Sequence, residues 1–438
     1  MLKTFYKKRI VHNSLLKRKR MMNRTLAPKT STVSHIDFQS PEIITLQNGA
    51  KLYAIRKTND ETVRIDFVFD AGSLKTSKII AQLTGDLLLS GTHDKSSDEI
   101  EEAIDALGGF NGVEITKEKA KISVIGLREH IVSIAETLVD AIMNVNFNPK
   151  EIKQLLQSKK KKMAISLEKV STQARRAFIS DLMQNSPYGD LVQLEDYDHI
   201  EQSDLIEFHK EKYLKGLKYI SIVGAIDDQD LATIQSLGEQ FKKEEITSFD
   251  YDYSYSPNNI HIEKDQAVQT AIRVGRVLFN KQHTDFIKFS VVNTILGGYF
   301  GSRLMTSIRE DKGYTYGIGS GVAQLSETGY FFISTEVGKE FKDLTLEAIQ
   351  EEITLLQTEE VSKKELDLVK NYIIGQILEQ SDGAQAMMDR FISVETFGLD
   401  FSYYDDFIKQ VKEVTAEELK ELANRYLNWE DFVVVCAG

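Results

Sequence analysis

The strongest constraint in this 438-residue sequence is that its second half repeats the order of its first. Residues 200–225 carry Leu205, Phe208 and the pair Tyr213-Leu214, then Ile-Ser-Ile-Val-Gly-Ala. Residues 414–438 carry Leu419, Leu422 and Tyr426-Leu427, then Phe-Val-Val-Val-Cys-Ala-Gly. The two Tyr-Leu pairs lie 213 residues apart, and a helix start at Ser362/Glu365 matches one at Asn148–Glu151. A period this long is a domain duplication, because solenoid repeats run only about 20–50 residues. Two homologous α+β domains follow, each a mixed β-sheet packed with helices.

Local patterns fill in each copy. Glu42–Ile55 reads as a hairpin around Asn48-Gly49, since both turn residues tolerate positive φ. Thr62–Asp70 alternates, with Val63, Ile65, Phe67 and Phe69 on one face and Arg64, Asp66 and Asp70 on the other, which predicts a half-buried strand. Ser77–Leu89 reads as helical. Ser96 and Glu99 form a capping box for a helix with Ile100, Ala103, Ile104 and Leu107 on one face, ended by Gly108-Gly109. A strand at Lys119–Leu127, helices to about Tyr213 and a buried strand at Ile220–Val223 complete the unit. In the second copy Ala267–Val274 alternates, and a helix over Phe286–Leu296 leads into a Gly-rich turn. A second helix over Ser302–Asp311 and strands within Tyr316–Val337 come next. The domains span 37–247 and 260–438, joined by a polar linker, 248–259, rich in Tyr and Asp.

Charge is unevenly placed. Residues 1–36 hold ten Lys/Arg and no acid, so the rest carries 44 basic against 66 acidic residues, a net of −22 within an overall −12. The basic head reads as a transit-like targeting segment, a disordered arm, or sequence ahead of a start at Met21 or Met22, and stands apart from the fold. The acidic body excludes a general nucleic-acid binder. A single cysteine, Cys436, excludes a disulfide framework and points to a reducing interior. A cytoplasmic location is expected, or a mitochondrial one if the head is a transit peptide. With no run of about 18 apolar residues, no membrane span is expected.

Several chemistries fail on residue spacing. No two of the eight His lie within five residues of each other, so a zinc helix with two His one turn apart is missing in either orientation. Cys436 sits in an apolar terminal strand, as a buried inert thiol does. Gly297–Gly301 follows a helix and lacks the Lys of a phosphate loop. Lys159–Lys162 sweeps more than one helical turn and reads as a solvated helix surface. The most informative stretch is Leu296–Gly321, where a Gly-rich turn precedes Arg309, with Tyr316 seven residues later. A guanidinium can hold a peptide carbonyl and a phenol can donate to an oxyanion. The rival reading pairs Arg309 with Glu310 or Asp311 and leaves Tyr316 as strand filler.

That stretch closely resembles the C-terminal half of the pitrilysin/insulinase superfamily of zinc metallopeptidases, which includes the mitochondrial processing peptidase. The resemblance rests on Gly297-Gly298, Ser302-Arg303-Leu304, Arg309 and Tyr316, and extends to nearly everything after residue 40. The superfamily's zinc helix reads His-x-x-Glu-His shortly before a Gly-Thr. Aligned on Gly91-Thr92, this chain has Gln82, Gly85 and Asp86 at the first His, the Glu and the second His. No acid occurs between Glu151 and Glu168, where the remote Glu ligand would fall. The resemblance therefore implies a chain without its own metal or activity, acting as the non-catalytic subunit of a heterodimeric zinc endopeptidase. The partner, a homologous His-x-x-Glu-His subunit, would hold the zinc. Arg309 would grip the substrate backbone, Tyr316 would donate to the oxyanion, and Gly297, Gly298 and Gly301 would let an extended peptide approach. The negative body suggests basic peptides. The alternatives are a structural scaffold subunit of a larger complex, which would have no use for the Arg/Tyr pair, and a peptide-binding homodimer.

Overall fold

Each half of the chain builds one mixed sheet that closes on a parallel strand. The computed structural model describes Val33 and residues 35–58, 60–243 and 251–438; most of the basic head and part of the expected linker, Ser248–Asp250, lie outside these. The first half runs β1 (Glu42–Thr45), β2 (Lys51–Ile55), β3 (Thr62–Phe69), α1 (Lys78–Leu87), α2 (Ser97–Asp105), β4 (Phe110–Ile115) and β5 (Ala120–Leu127). It continues through α3 (Ile131–Asn144), α4 (Pro149–Leu167), α5 (Val170–Leu182), α6 (Gln202–Lys212), β6 (Leu217–Val223) and α7 (Asp228–Glu239). The second half runs β7 (Asn258–Ile262), β8 (Gln269–Leu278), α8 (Phe286–Asn293), β9 (Thr315–Gln324), β10 (Gly329–Gly338) and α9 (Lys342–Thr358). It ends with α10 (Lys363–Glu379), α11 (Ala384–Glu395), α12 (Ser402–Glu413), α13 (Ala416–Tyr426) and β11 (Val433–Ala437).

Among the described residues the strand orders are β1-β2-β6-β3-β5-β4 and β7-β11-β8-β10-β9. β2 pairs parallel with β6, Lys51 opposite Tyr219, and β7 pairs parallel with β11, Asn258 opposite Val433. The equivalence of the halves is therefore topological as well as sequential. The hairpin forms at Asn48-Gly49, with Gly49 at φ 84° and the Asn48 side chain donating to the carbonyls of Gly238 and Phe241. The Ser96/Glu99 capping box is present, and Gly108 turns the chain at φ 67°.

The two sheets exchange helices. From the first half, α5 lays Ala174, Phe178 and Leu182 onto Ala271, Val433 and Val435 of the second sheet. From the second half, α11 lays Met388 and Phe391 onto Tyr53, Val68 and Tyr219 of the first. This corrects the half-buried reading of β3. Val68 and Asp66 are as buried as the expected core face, because α11 covers them. Asp66 accepts from Ser221 Oγ at 2.9 Å, and Arg64 bridges Asp66 (3.3 Å) and Asp389 (2.5 Å), so the charges under α11 are paired, while Asp66 Oδ1 is buried with no hydrogen-bond partner.

Two further expectations shift. The helix from Phe286 is α-helical only to Asn293, then widens into a π-helical turn over Thr294–Gly298; Ser302–Asp311 is likewise π-wound over Met305–Asp311. The linker is no loose tether in its described part. Tyr251, Tyr253 and Tyr255 pack on the α5 cluster, Tyr255 Oη donates to the Asp431 carbonyl at 2.8 Å, and β7 already begins at Asn258.

Phe178→Ala should cost about 3–5 kcal/mol by urea unfolding. Hydrogen exchange should quicken in β8 and β11, across the half boundary, as well as in α5. His209 is buried against Phe147 and Tyr213, with Nε2 2.7 Å from the Ile142 carbonyl; desolvation holds its pKa below the ordinary 6.5 despite that bond. Above pH 6.5 neither state protonates it. As pH falls below that value the unfolded chain binds the proton first, so stability is lost by up to about 1.4 kcal/mol per unit. The slope of stability against pH between 6.5 and 5 should be shallower in His209→Gln.

Candidate functional site

Helix α1 carries the positions aligned with a zinc motif. Ser77 opens it by accepting from the Ile80 amide at 3.2 Å, and Ile79, Leu83 and Leu87 pack on Val145, Phe147, Ile152 and Leu205. Gln82 faces a cavity of about 670 Å³ between α1, α4, α5 and the second sheet. Gly85 is buried, and the room beside it is already taken. A Cβ there would lie 2.5 Å from Ile115 Cδ1 and 3.3 Å from Tyr213 Oη. Asp86 forms an ion pair with Lys159 of α4.

These residues do not fit a zinc ion. Gln82 offers a neutral amide, Gly85 offers nothing, and the Asp86 carboxylate is held by an ammonium. Among the described residues no cluster of three or more His, Cys, Asp or Glu is placed to hold a metal.

The Gly-rich segment is built for close packing before anything else. A Cβ on Gly297 would sit 2.6 Å from the Ser320 amide nitrogen, so the π turn rests directly on β9. Gly301 lies under the Tyr299 ring, where a Cβ would be 2.9 Å from a ring carbon, while Gly298 is exposed. Gly297 is therefore buried in packing, whereas Gly298 and Gly301 are exposed. Arg303 anchors the next turn through a bidentate pair with Glu365, both contacts 2.9 Å. Gly313 reverses the chain at φ 67° into β9.

Arg309 and Tyr316 are brought together, by a bond the sequence did not foretell. Arg309 Nε donates to the Tyr316 backbone carbonyl at 3.0 Å, and its guanidinium lies 4.9 Å from the centre of the Phe300 ring. The rival partner Glu310 stands at 3.8 Å, a loose contact. Arg309 thereby fixes the first residues of β9, and the Tyr316 side chain projects with 95 % of its surface exposed. Its hydroxyl has no hydrogen-bond partner among the described residues. Tyr316 lines a cleft of about 390 Å³ with Ser171, Arg273, Thr335 and Glu336. Arg273 belongs to both this cleft and the larger cavity. Phe300 and Arg273 were missed from sequence. An exposed aromatic inside the Gly-rich turn was a readable signal for Phe300; Arg273 carried none, lying on the alternating strand β8.

Known proteins share this fold. Residues 52–192 match the model of insulinase (peptidase family M16), and residues 199–373 match that of the peptidase M16 inactive domain. A Bacillus subtilis protein described as the uncharacterized zinc protease YmxG is 25% identical, over 89% of this chain and 96% of its own. The Helicobacter pylori protein described as the non-peptidase homolog YmxG is 20% identical, over 83% and 84%. A crystal structure of a peptidase M16 inactive domain from Pseudomonas fluorescens superposes with a TM-score of 0.83 at 23% identity, covering 91% of this chain and 98% of that one. Among the described residues no helix is long and apolar enough to cross a membrane.

Rewriting α1 tests the packing account. The triple variant Gln82→His, Gly85→Glu, Asp86→His should not gain stoichiometric zinc on metal analysis. Its melting temperature should fall, because crowding Ile115 costs about 1–3 kcal/mol and Lys159 loses its carboxylate. Tight zinc at one per chain with unchanged stability would contradict the account.

Proposed function

Because this chain belongs to the peptidase M16 (insulinase) family, we propose that it is a non-catalytic, substrate-binding subunit of a heterodimeric zinc endopeptidase. The relatives described as inactive or non-peptidase support the first part, a catalytically dead member of the family. The donor set on α1 supports it independently, since water is not activated without a metal or a base. The observation that carries the second part is Tyr316. A phenol with 95 % of its surface exposed, on a strand end pinned by Arg309, gains nothing for stability by being there. On this reading its hydroxyl donates to something outside this chain.

In the proposed complex the partner is a homologous His-x-x-Glu-His subunit that holds the zinc. The Tyr316 hydroxyl donates a hydrogen bond to the oxyanion formed as water attacks the scissile carbonyl. Arg309 keeps β9 in place through the Tyr316 carbonyl and offers its remaining N–H groups to the peptide backbone. An extended peptide adds to a sheet edge of the partner.

Removing an oxyanion donor typically lowers kcat about 10²–10³-fold. Tyr316→Phe should bring peptide turnover by the mixed complex down toward that range while heterodimer assembly, read by gel filtration, is unchanged. Arg309→Ala should lower turnover by misplacing β9. Undiminished turnover in both variants would remove the role; failure of the chain to pair with any zinc-bearing homologue would remove the heterodimer itself.

A further inference from the structure

The cavity beside α1 is strongly basic in a strongly acidic protein. Lys78, Lys117, Lys162, Arg175, Arg176 and Arg273 line it along with Lys159, against one lining carboxylate, Asp190. They converge from α1, the turn before β5, α4, α5 and β8, so the fold assembles them and no local run accounts for them. Three have neighbours to satisfy them. Lys159 pairs with Asp86, Lys117 donates to the Tyr188 carbonyl, and Arg176 donates to the Val192 carbonyl at 2.6 Å. Lys78, Lys162, Arg175 and Arg273 have no carboxylate within ion-pair distance among the described residues. Like charges gathered in a partly enclosed space repel one another. The strain registers on its members: burial, then Lys78, pushes Lys117 down to about 8, and burial, then Arg175, lowers Arg176.

Such an arrangement lacks counter-charge, and its shape narrows what can supply it. Between the cations lie Phe178, Tyr330 and Phe332, with the Arg273 guanidinium 5.9 Å from the Phe332 ring centre. The cavity meets the Tyr316 cleft at Arg273, so the lined path extends well beyond the span of a single compact anion. A lone phosphate would fill only a small part of a cavity of about 670 Å³ and would leave its aromatic wall bare.

We propose that this cavity binds an acidic peptide segment, with Asp or Glu side chains against Lys78, Lys162, Arg175 and Arg273 and apolar side chains against the aromatic wall. The choice of a peptide rests on the function proposed above; the choice of an anion rests on the cavity alone. It reverses, at this site, the preference for basic peptides that the net charge suggests.

The test uses the full chain without any partner and follows the anisotropy of a fluorescein-labelled peptide of about ten residues in which Glu alternates with Ala and Tyr. A matched peptide with Gln for Glu, one with Lys for Glu, and inorganic phosphate as competitor complete the set. The Glu peptide should bind at least about tenfold tighter than the Gln peptide, and the Lys peptide should not bind. Arg175→Gln, on the rim of the cavity, and Arg273→Gln should each weaken the Glu peptide about tenfold or more, Arg273→Lys should retain part of the affinity, and Lys420→Gln, outside the cavity, should have no effect. Thermal melting confirms that each variant is folded. Equal binding of Glu and Gln peptides, indifference to both Arg substitutions, or displacement by phosphate at the peptide's own concentration would overturn the proposal, the last by showing a free-anion site. Because no second subunit enters the assay, acidic-peptide binding by a chain that activates no partner would preserve this site and reject the heterodimer.

Discussion

The exchange of α5 and α11 between the two sheets is the contact on which the rest of the molecule depends. Neither sheet can bury both faces with the helices its own half supplies. Phe178 fills one, Phe391 and Met388 fill the other, and the two halves become a single compact unit over Ile36–Gly438. The same exchange builds the candidate site. By carrying α5 across, the chain sets Arg175 and Arg176 of the first half beside Arg273 of the second, and encloses the cavity into which Gln82 looks.

How much of this was legible depended on whether the cause was local. Caps, turns and the Asn48-Gly49 hairpin were readable because their hydrogen bonds close within a few residues. The duplication was readable because α6–β6 and α13–β11 keep the same apolar order 213 residues apart. The burial of Asp66 and Val68 was not, since the residues that cover them lie more than 300 positions further along, on α11. Gly297 was read as access for a ligand; only the position of Ser320 shows that it is an inter-element contact. The contact between Arg309 and Tyr316 uses the main-chain carbonyl of Tyr316, which no sequence pattern encodes.

The positions aligned with the zinc motif lie on a helix that is firmly seated in the core. α1 keeps the apolar face that docks it on Phe147 and Leu205. Beside that face the aligned positions present the Gln82 amide, Gly85 packed against Ile115, and the Asp86 carboxylate tied to Lys159. The Lys159–Lys162 run, a solvated surface by its sequence, divides by direction: Lys159 and Lys162 enter the cavity while Lys160 turns away to Asp198. Gln82, Lys78, Lys159 and Lys162 thus share one wall of the cavity.

The exchanged helices also impose an order of events on synthesis. The last strand of the first sheet, β6, pairs with β2 and is complete once Val223 has been made, but Tyr53, Val68 and Tyr219 wait for Met388 and Phe391 before that face is dry. Throughout the intervening stretch a ribosome-bound chain presents a finished sheet with one bare apolar side, the kind of surface on which nascent proteins aggregate or recruit chaperones. In the other direction α5 is made before the sheet it will cover and is ready when β8 emerges. The symmetric molecule is therefore reached by an asymmetric route, and the early half carries the greater hazard.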